Sequence, residues 1–390
     1  MFKRICAISL ALVIAVLCFT GCHKKGETVV TIDGYDVPSG LYLAVQFESF
    51  NTFYADVNSL AGSVTASNVD GYLKYSIDGK SSTDYIYEKT IETLRNYVAV
   101  ERLFAEEGLE LDEDDNNLID SYTAYYWTNY GYQDIYQING VSKDSFRLLM
   151  ENNIKKNKIF EHYYMPADEE TGKGGKFVVS DDEVKAYMAE HYILANTFTS
   201  DTSTLIKDTE EGTEDTATEA TATTDVSTVK ERVELLNGYA TRINNGESFD
   251  TIATEYQTAT GETISSGNSG SIDTTGTIYP TNAAVYTDED SDTTTFEMLA
   301  ETKAKEGFEY GKAYVTDDTE FLYSVSLSII YDITKDPVYI EGYRSTVISS
   351  MKADEFDDLL KTKGEAFELK ENKGMISYYS PHNIKLSAGK

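Results

Sequence analysis

The sequence predicts an α+β protein, helical in the main, with strands confined to a few short segments. Three observations carry that prediction. Apolar residues recur at three- and four-residue spacing through most of the chain, behind residues suited to capping helices. An alternating segment with an Asp-Gly turn lies at Val29–Pro38, and a second alternating run lies at Phe321–Leu327. At 390 residues, 41% of them hydrophobic, the chain is long enough for two or three modest domains.

The chain begins with a basic Lys3-Arg4 pair and an apolar run from Ile5 to Phe19. That run has the length of a secretory leader and is short for a membrane span. Phe19-Thr20-Gly21-Cys22 closes it. Small residues followed at once by Cys resemble the bacterial lipobox, with Phe19 where Leu is usual. The resemblance implies a signal peptide over 1–21, lipidation of Cys22, and a tether over 22–28. The protein would then sit on the extracytoplasmic face of a bacterial cell membrane, held by more than one acyl chain. His23-Lys24-Lys25 would lie favourably at the headgroups.

The elements follow in order. Val29–Pro38 reads as a hairpin, because Asp33-Gly34 supplies the positive φ a two-residue turn needs. Ser39 is placed to cap a helix towards Tyr54, and the Ser-, Gly- and Asp-rich stretch Asn51–Asp84 reads as a long loop. Ile91, Leu94, Val98 and Leu103 share a helical face that Gly108 ends. The acids Asp112–Asp115 suit the start of a helix carrying Leu118, Ile119, Tyr122, Tyr125 and Tyr126. Ser142 caps a helix with Phe146, Leu149, Met150 and Ile154 inward, and Ser180–Glu183 is a capping box before Val184, Tyr187 and Met188. Residues 201–226, mostly Thr, Asp, Glu and Ala, carry too little apolar surface to offset ordering entropy and read as a disordered insertion. Two helices follow, one with Val229, Val233, Leu236 and Ile243, one with Phe249, Ile252 and Tyr256; Gly261–Thr277 is a loop. After the strand near Phe321, Pro337 opens a long helix with Tyr339, Ile340, Val347 and Phe356, and Met375–Tyr379 is expected to add a strand.

Composition bounds the function. The formal net charge is −33, and losing Lys3 and Arg4 with the leader makes it more negative. Such a surface repels phosphate backbones, which excludes nucleic-acid partners, and attracts basic, unfolded polypeptides. Cys6 and Cys18 leave with the leader and Cys22 is consumed, so no disulfide, thiol nucleophile or Cys-ligated metal is expected. The aromatic residues are 30 Tyr and 16 Phe against the single Trp127. Tyr suits half-buried helix interfaces and wet contact surfaces alike. Asp112–Asp115 lacks the Gly and closing Glu of a calcium loop. No Gly-x-Ser-x-Gly elbow occurs, and Gly172–Lys176 lacks phosphate-loop spacing. No catalytic residue, metal or cofactor is therefore assigned.

The order of parts resembles the PrsA/SurA group of exported foldases, which carry parvulin-type prolyl isomerase modules. Val30-Thr31-Ile32-Asp33-Gly34 resembles their opening hairpin, and Gly108-Leu109-Glu110-Leu111 their first helix junction. Gly140–Phe146 resembles their "G-I-S-x-x-x-F/Y" helix start, and Val179–Tyr187 is close to "V-S-D-E-E-V-K-A-Y". Ile243–Ala253 resembles the parvulin "I-x-x-G-x-x-F-x-x-L-A" helix pair. Gly267–Ile272 and Gly276–Pro280 resemble the loop that follows it, with Ser271-Ile272 in place of Trp-Phe.

The resemblance implies a helical chaperone domain from 29–190 and 336–390, and a degenerate parvulin-like α+β module over 191–335. It also implies a peptide-binding pocket at Thr197, Ile278, Phe296 and Tyr323, and exported, unfolded polypeptides as partners. Parvulin activity goes with two histidines on neighbouring central strands. Thr197 stands where the first is expected, and no His occurs between Tyr192 and Pro381. His191 could serve only through a register shift that turns its neighbours to the wrong faces. Chaperone action with isomerisation weak or lost is the expectation. The alternatives are an active isomerase without the usual histidines, and a solute-binding or adhesive surface lipoprotein.

Overall fold

Asp33 and Gly34 turn the chain with φ of 49° and 75°, and the first hairpin follows from that pair. In the computed structural model, which describes residues 27–62, 64–66, 68–166, 175–201, 228–261, 283–288, 293–318 and 324–386, strands β1 (Thr28–Ile32) and β2 (Tyr35–Pro38) pair across this turn. The fold is an α+β mix, as the periodicity predicts. The chain divides into two compact units, 1–178 with 352–390, and 179–351. The second is wider than 191–335 because it takes in the Ser180-capped helix and the start of the last long one.

In the first unit, α1 (Ser39–Ala61) starts directly behind Pro38, so Ser39 is its first residue and not its side-chain cap. The helix continues well past Tyr54, then come α2 (Val69–Tyr72), the small hairpin β3 (Ser76–Ile77) and β4 (Lys80–Ser81), and α3 (Ser82–Glu106). The loop expected over Asn51–Asp84 is thus largely structured. Phe50, Phe53 and Val57 recur at helical spacing and are all buried, and that burial outweighs the weak helix propensity of the residues between them. Asp112 and Asp115 form a reciprocal capping box on α4 (Glu113–Ala124). A π-helical turn over Tyr125–Asn129 follows, then α5 (Tyr132–Ile138) and the Ser142-capped α6 (Lys143–Tyr164).

The second unit opens with α7 (Asp181–His191), capped by the Ser180/Glu183 box, which runs straight into β5 (Tyr192–Asp201). Thr228 and Glu231 box the start of α8 (Val229–Asn244), and Ser248 caps α9 (Phe249–Thr260). β6 (Ala284–Thr287), α10 (Thr293–Lys303), β7 (Ala313–Asp318) and β8 (Ser324–Tyr331) complete a four-stranded sheet in the order β6-β5-β8-β7, antiparallel throughout. The alternating run expected from Phe321 therefore enters the strand only at Ser324, and β8 is buried on both faces. Phe198, Val325 and Leu327 pack on Leu236, Ile252 and Tyr256 of α8 and α9. Ile193, Ala195 and Ile330 pack on Leu299 of α10 on the other face.

Asp336 accepts from the Val338 amide at the start of α11 (Pro337–Glu365), an unbroken helix whose later residues belong to the first unit. There β9 (Leu369–Glu371) pairs with β1, giving a three-stranded sheet β2-β1-β9. The strand expected at Met375–Tyr379 is instead α12 (Lys373–Tyr378), capped by the Asn372 side chain. The pairing edge of β1 is taken by Leu369–Glu371, and the Asn372 side chain directly behind it starts a helix in place of a further strand. Among the described residues no helix is long and apolar enough to cross a membrane.

Candidate functional site

The two central strands of the second unit's sheet, β5 and β8, are neighbours in a register that sets Thr197 opposite Ser328 and Thr199 opposite Ser326. Residues two apart on a strand share a face, so all four hydroxyls lie on one side. They pair across the strands: Thr197 Oγ1 and Ser328 Oγ are 2.7 Å apart, Thr199 Oγ1 and Ser326 Oγ 2.8 Å. Thr197 is 8% exposed and Ser328 1%. One strand over, Thr316 of β7 shares a hydrogen bond of 2.6 Å with Thr302 of α10. Lys305 donates to the Val315 carbonyl at 3.0 Å, and burial pulls its pKa down.

The same face continues into an apolar wall. Phe296, Tyr286 and Phe308 lean on the cluster of Ile193, Ala195, Leu299 and Ile330. Burial raises the Tyr286 hydroxyl above its ordinary value. Of the four residues expected to form a pocket, Thr197 and Phe296 are thus brought to one face of one sheet. Ile278 and Tyr323 lie outside the described residues, as do Cys22 and the expected insertion from 202 onward.

His191 is not on the strand. It ends α7, stacks on Tyr187 at 4.1 Å between ring centroids, and its Nδ1 lies 2.7 Å from Asp288 Oδ2. The His382–Asp70 contact, 2.6 Å, and the His162–Glu107 contact, 3.5 Å, belong to the first unit. What stands at the centre of the sheet is a row of aliphatic hydroxyls. Each hydroxyl donates one hydrogen bond and can accept others.

Sequence reasoning passed over Arg232. It is buried on the opposite face, donates to Ser200 Oγ at 2.7 Å and Tyr256 OH at 2.5 Å, and lies over the Tyr256 ring. An Arg in the first turns of an ordinary amphipathic helix carries no local signal of this role. The first unit has a groove of about 310 Å³ beside Asn96, Tyr97, Leu149, Asn152 and the Lys156–Asp357 pair. Its walls carry both charges and both hydrogen-bonding senses.

No family model matches the sequence, and no curated protein matches it. Among solved structures, the foldase protein PrsA from Streptococcus pneumoniae str. Canada MDR_19A is similar to 78% of this chain over 98% of its own, at 10% identity and a TM-score of 0.35.

Proposed function

We propose that the protein is a membrane-tethered, extracytoplasmic chaperone that holds exported polypeptides while they fold, with prolyl isomerisation weak or lost. One observation carries the reading. A four-stranded sheet flanked by helices carries, on its two neighbouring central strands, a Thr197–Ser328 hydroxyl pair and no histidine, Thr197 standing where the parvulin pattern has its first imidazole. A scaffold kept while its polar centre is replaced fits grip on chains better than turnover. Isomerisation must cross an intrinsic barrier of about 18–20 kcal/mol, and an enzyme lowers it by holding a twisted amide against a fixed polar edge. Thr197 and Phe296, with Ile278 and Tyr323, remain the proposed peptide contacts. The lipid anchor at Cys22 rests on the Phe19–Cys22 pattern.

Two assays test this. In the first, the protein is added to an aggregating, chemically unfolded client. Suppression of light scattering at near-stoichiometric ratio is expected, and scattering equal to buffer rejects the chaperone reading. In the second, a protease-coupled assay on an Xaa-Pro peptide should give a rate close to background. A rate well above it returns the protein to the isomerases.

A further inference from the structure

We infer that the tyrosine cluster around the π-helical turn of the first unit is a binding surface for Lys- and Arg-bearing segments of extended polypeptide. This rests on the chaperone reading and names where, and through what chemistry, a client is held. Tyr122, Tyr125, Tyr126, Tyr130 and Tyr132 form a continuous set of ring contacts, with centroids 5.3 Å apart for Tyr125–Tyr126 and 5.4 Å for Tyr125–Tyr130. Tyr125 is 46% exposed and Tyr130 60%.

Other tyrosines of this unit use their hydroxyls structurally: Tyr85 donates to Asp56, Tyr136 to Glu48, and Tyr163 to Glu107. None of the five does so among the described residues. Tyr126 and Tyr132 pack on the core from beneath, while Tyr122, Tyr125 and Tyr130 stand exposed, an aromatic set that needs a reason. The turn itself adds a second. Tyr125–Asn129 is wound as a π-helix, a rare conformation that brings Tyr125, Tyr126 and Tyr130 side by side. Beneath it Trp127, 3% exposed, packs against Tyr136 and Phe146.

Charge selects the occupant. No Lys or Arg occurs between Arg102 and Lys143, while nine Asp and Glu do. Arg147 and Lys158 of α6 neutralise Asp120, Asp112 and Asp115. Glu113, Asp114 and Asp134 are exposed and form no ion pair among the described residues. Aromatic faces in an anionic field attract ammonium and guanidinium groups, Arg above Lys because it also stacks. Unpaired phenol hydroxyls can meet the carbonyls and amides of an extended backbone.

The test uses the full-length protein and fluorescein-labelled, unstructured Gly/Ser peptides carrying Arg, Lys, Gln or Glu at the same positions. Fluorescence anisotropy should rank them Arg, Lys, Gln, Glu, with binding weakened by salt. The Tyr125→Ala/Tyr130→Ala variant should lose about tenfold in affinity for the Arg peptide, the size of two exposed cation–π contacts, with an unchanged circular dichroism spectrum. The matching Phe variant, which keeps both ring faces, should bind within about twofold of the original. As a second arm, Asp134→Asn, two residues from Tyr132, should weaken the Arg peptide and leave the Gln peptide unchanged. Equal binding of Arg and Gln peptides overturns the proposal, and so does an unaffected Ala variant. Preferential binding of N-acetylglucosamine oligomers would identify a glycan platform and overturn it too. If the Ala variant still binds Arg peptide and suppresses aggregation, the site is wrong and the chaperone reading stands. If the unmodified protein suppresses nothing, that reading has failed whatever the peptides do.

Discussion

Asn196 is 2% exposed, two residues from Phe198 on β5, and neither its Nδ2 nor its Oδ1 has a hydrogen-bond partner. A buried amide without partners carries its desolvation cost uncompensated. Asn196→Val should therefore raise the stability of the second unit by about 1–2 kcal/mol, since Val also suits a central strand. Urea unfolding followed by a probe in that unit checks it, and a lower midpoint would mean the amide is engaged. Thr197 behaves oppositely. Its hydroxyl is paired, so Thr197→Val should cost about 1–2 kcal/mol by stranding Ser328. Combining it with Ser328→Ala should cost less than the two single changes added together. Thr197 could be singled out in the sequence because it stands where the resembled parvulin strand carries a histidine. Its partner could not, because the register between β5 and β8 is set by packing across the sheet.

Elements with local capping chemistry were the legible ones. Asp112, Ser142 and Ser180 each cap the helix that the sequence places behind them. The misses lie where a distant contact decides. Phe50 and Phe53 extend α1 through residues that read as loop, and β1 selects Leu369–Glu371 over Met375–Tyr379 as its second neighbour. The close approach of α11 to α3 is of the same kind. Within the first unit Arg95 donates to the carbonyls of Gly364 and Phe367 at 2.7 and 2.8 Å, satisfying acceptors at the end of α11. A Cβ on Gly364 would meet the Arg95 backbone at 3.0 Å. Helix propensity alone favours Gly364→Ala by about 1 kcal/mol. Backbone cannot swing aside as a side chain can, so we expect a net loss of about 1–3 kcal/mol. A thermal midpoint above the parent would show that α11 has room to shift.

At the scale of the whole molecule, 66 acidic residues face 33 basic ones, and that imbalance opposes compaction. Ion pairs oppose it locally, as where Lys89 meets Glu92, but such exposed pairs contribute little one by one. Raising NaCl at pH 7 from about 0.01 M to about 0.15 M shortens the Debye length from about 30 Å to about 8 Å. Long-range repulsion is screened first, so the first thermal transition should move up; a downward shift would mean the paired contacts dominate. The pH dependence has a definite sign. A hydrogen bond from Lys176 holds Glu107 below its ordinary value, and Arg242 does the same for Glu247 and Glu255. A carboxyl with a depressed folded-state pKa contributes stability that is whole above the unfolded value and is lost as pH falls through the folded one. Glu161, raised by burial, acts the other way, but the depressed groups outnumber it. Calorimetry across pH 7 to 3 should therefore show little loss until the pH drops below about 4.5, the ordinary Glu value, and a steep one beneath it. Lys176→Met should shift that acid limb upward in pH by moving Glu107 toward its ordinary range. If the acid limb stays where it was, the Glu107 cluster does not set it.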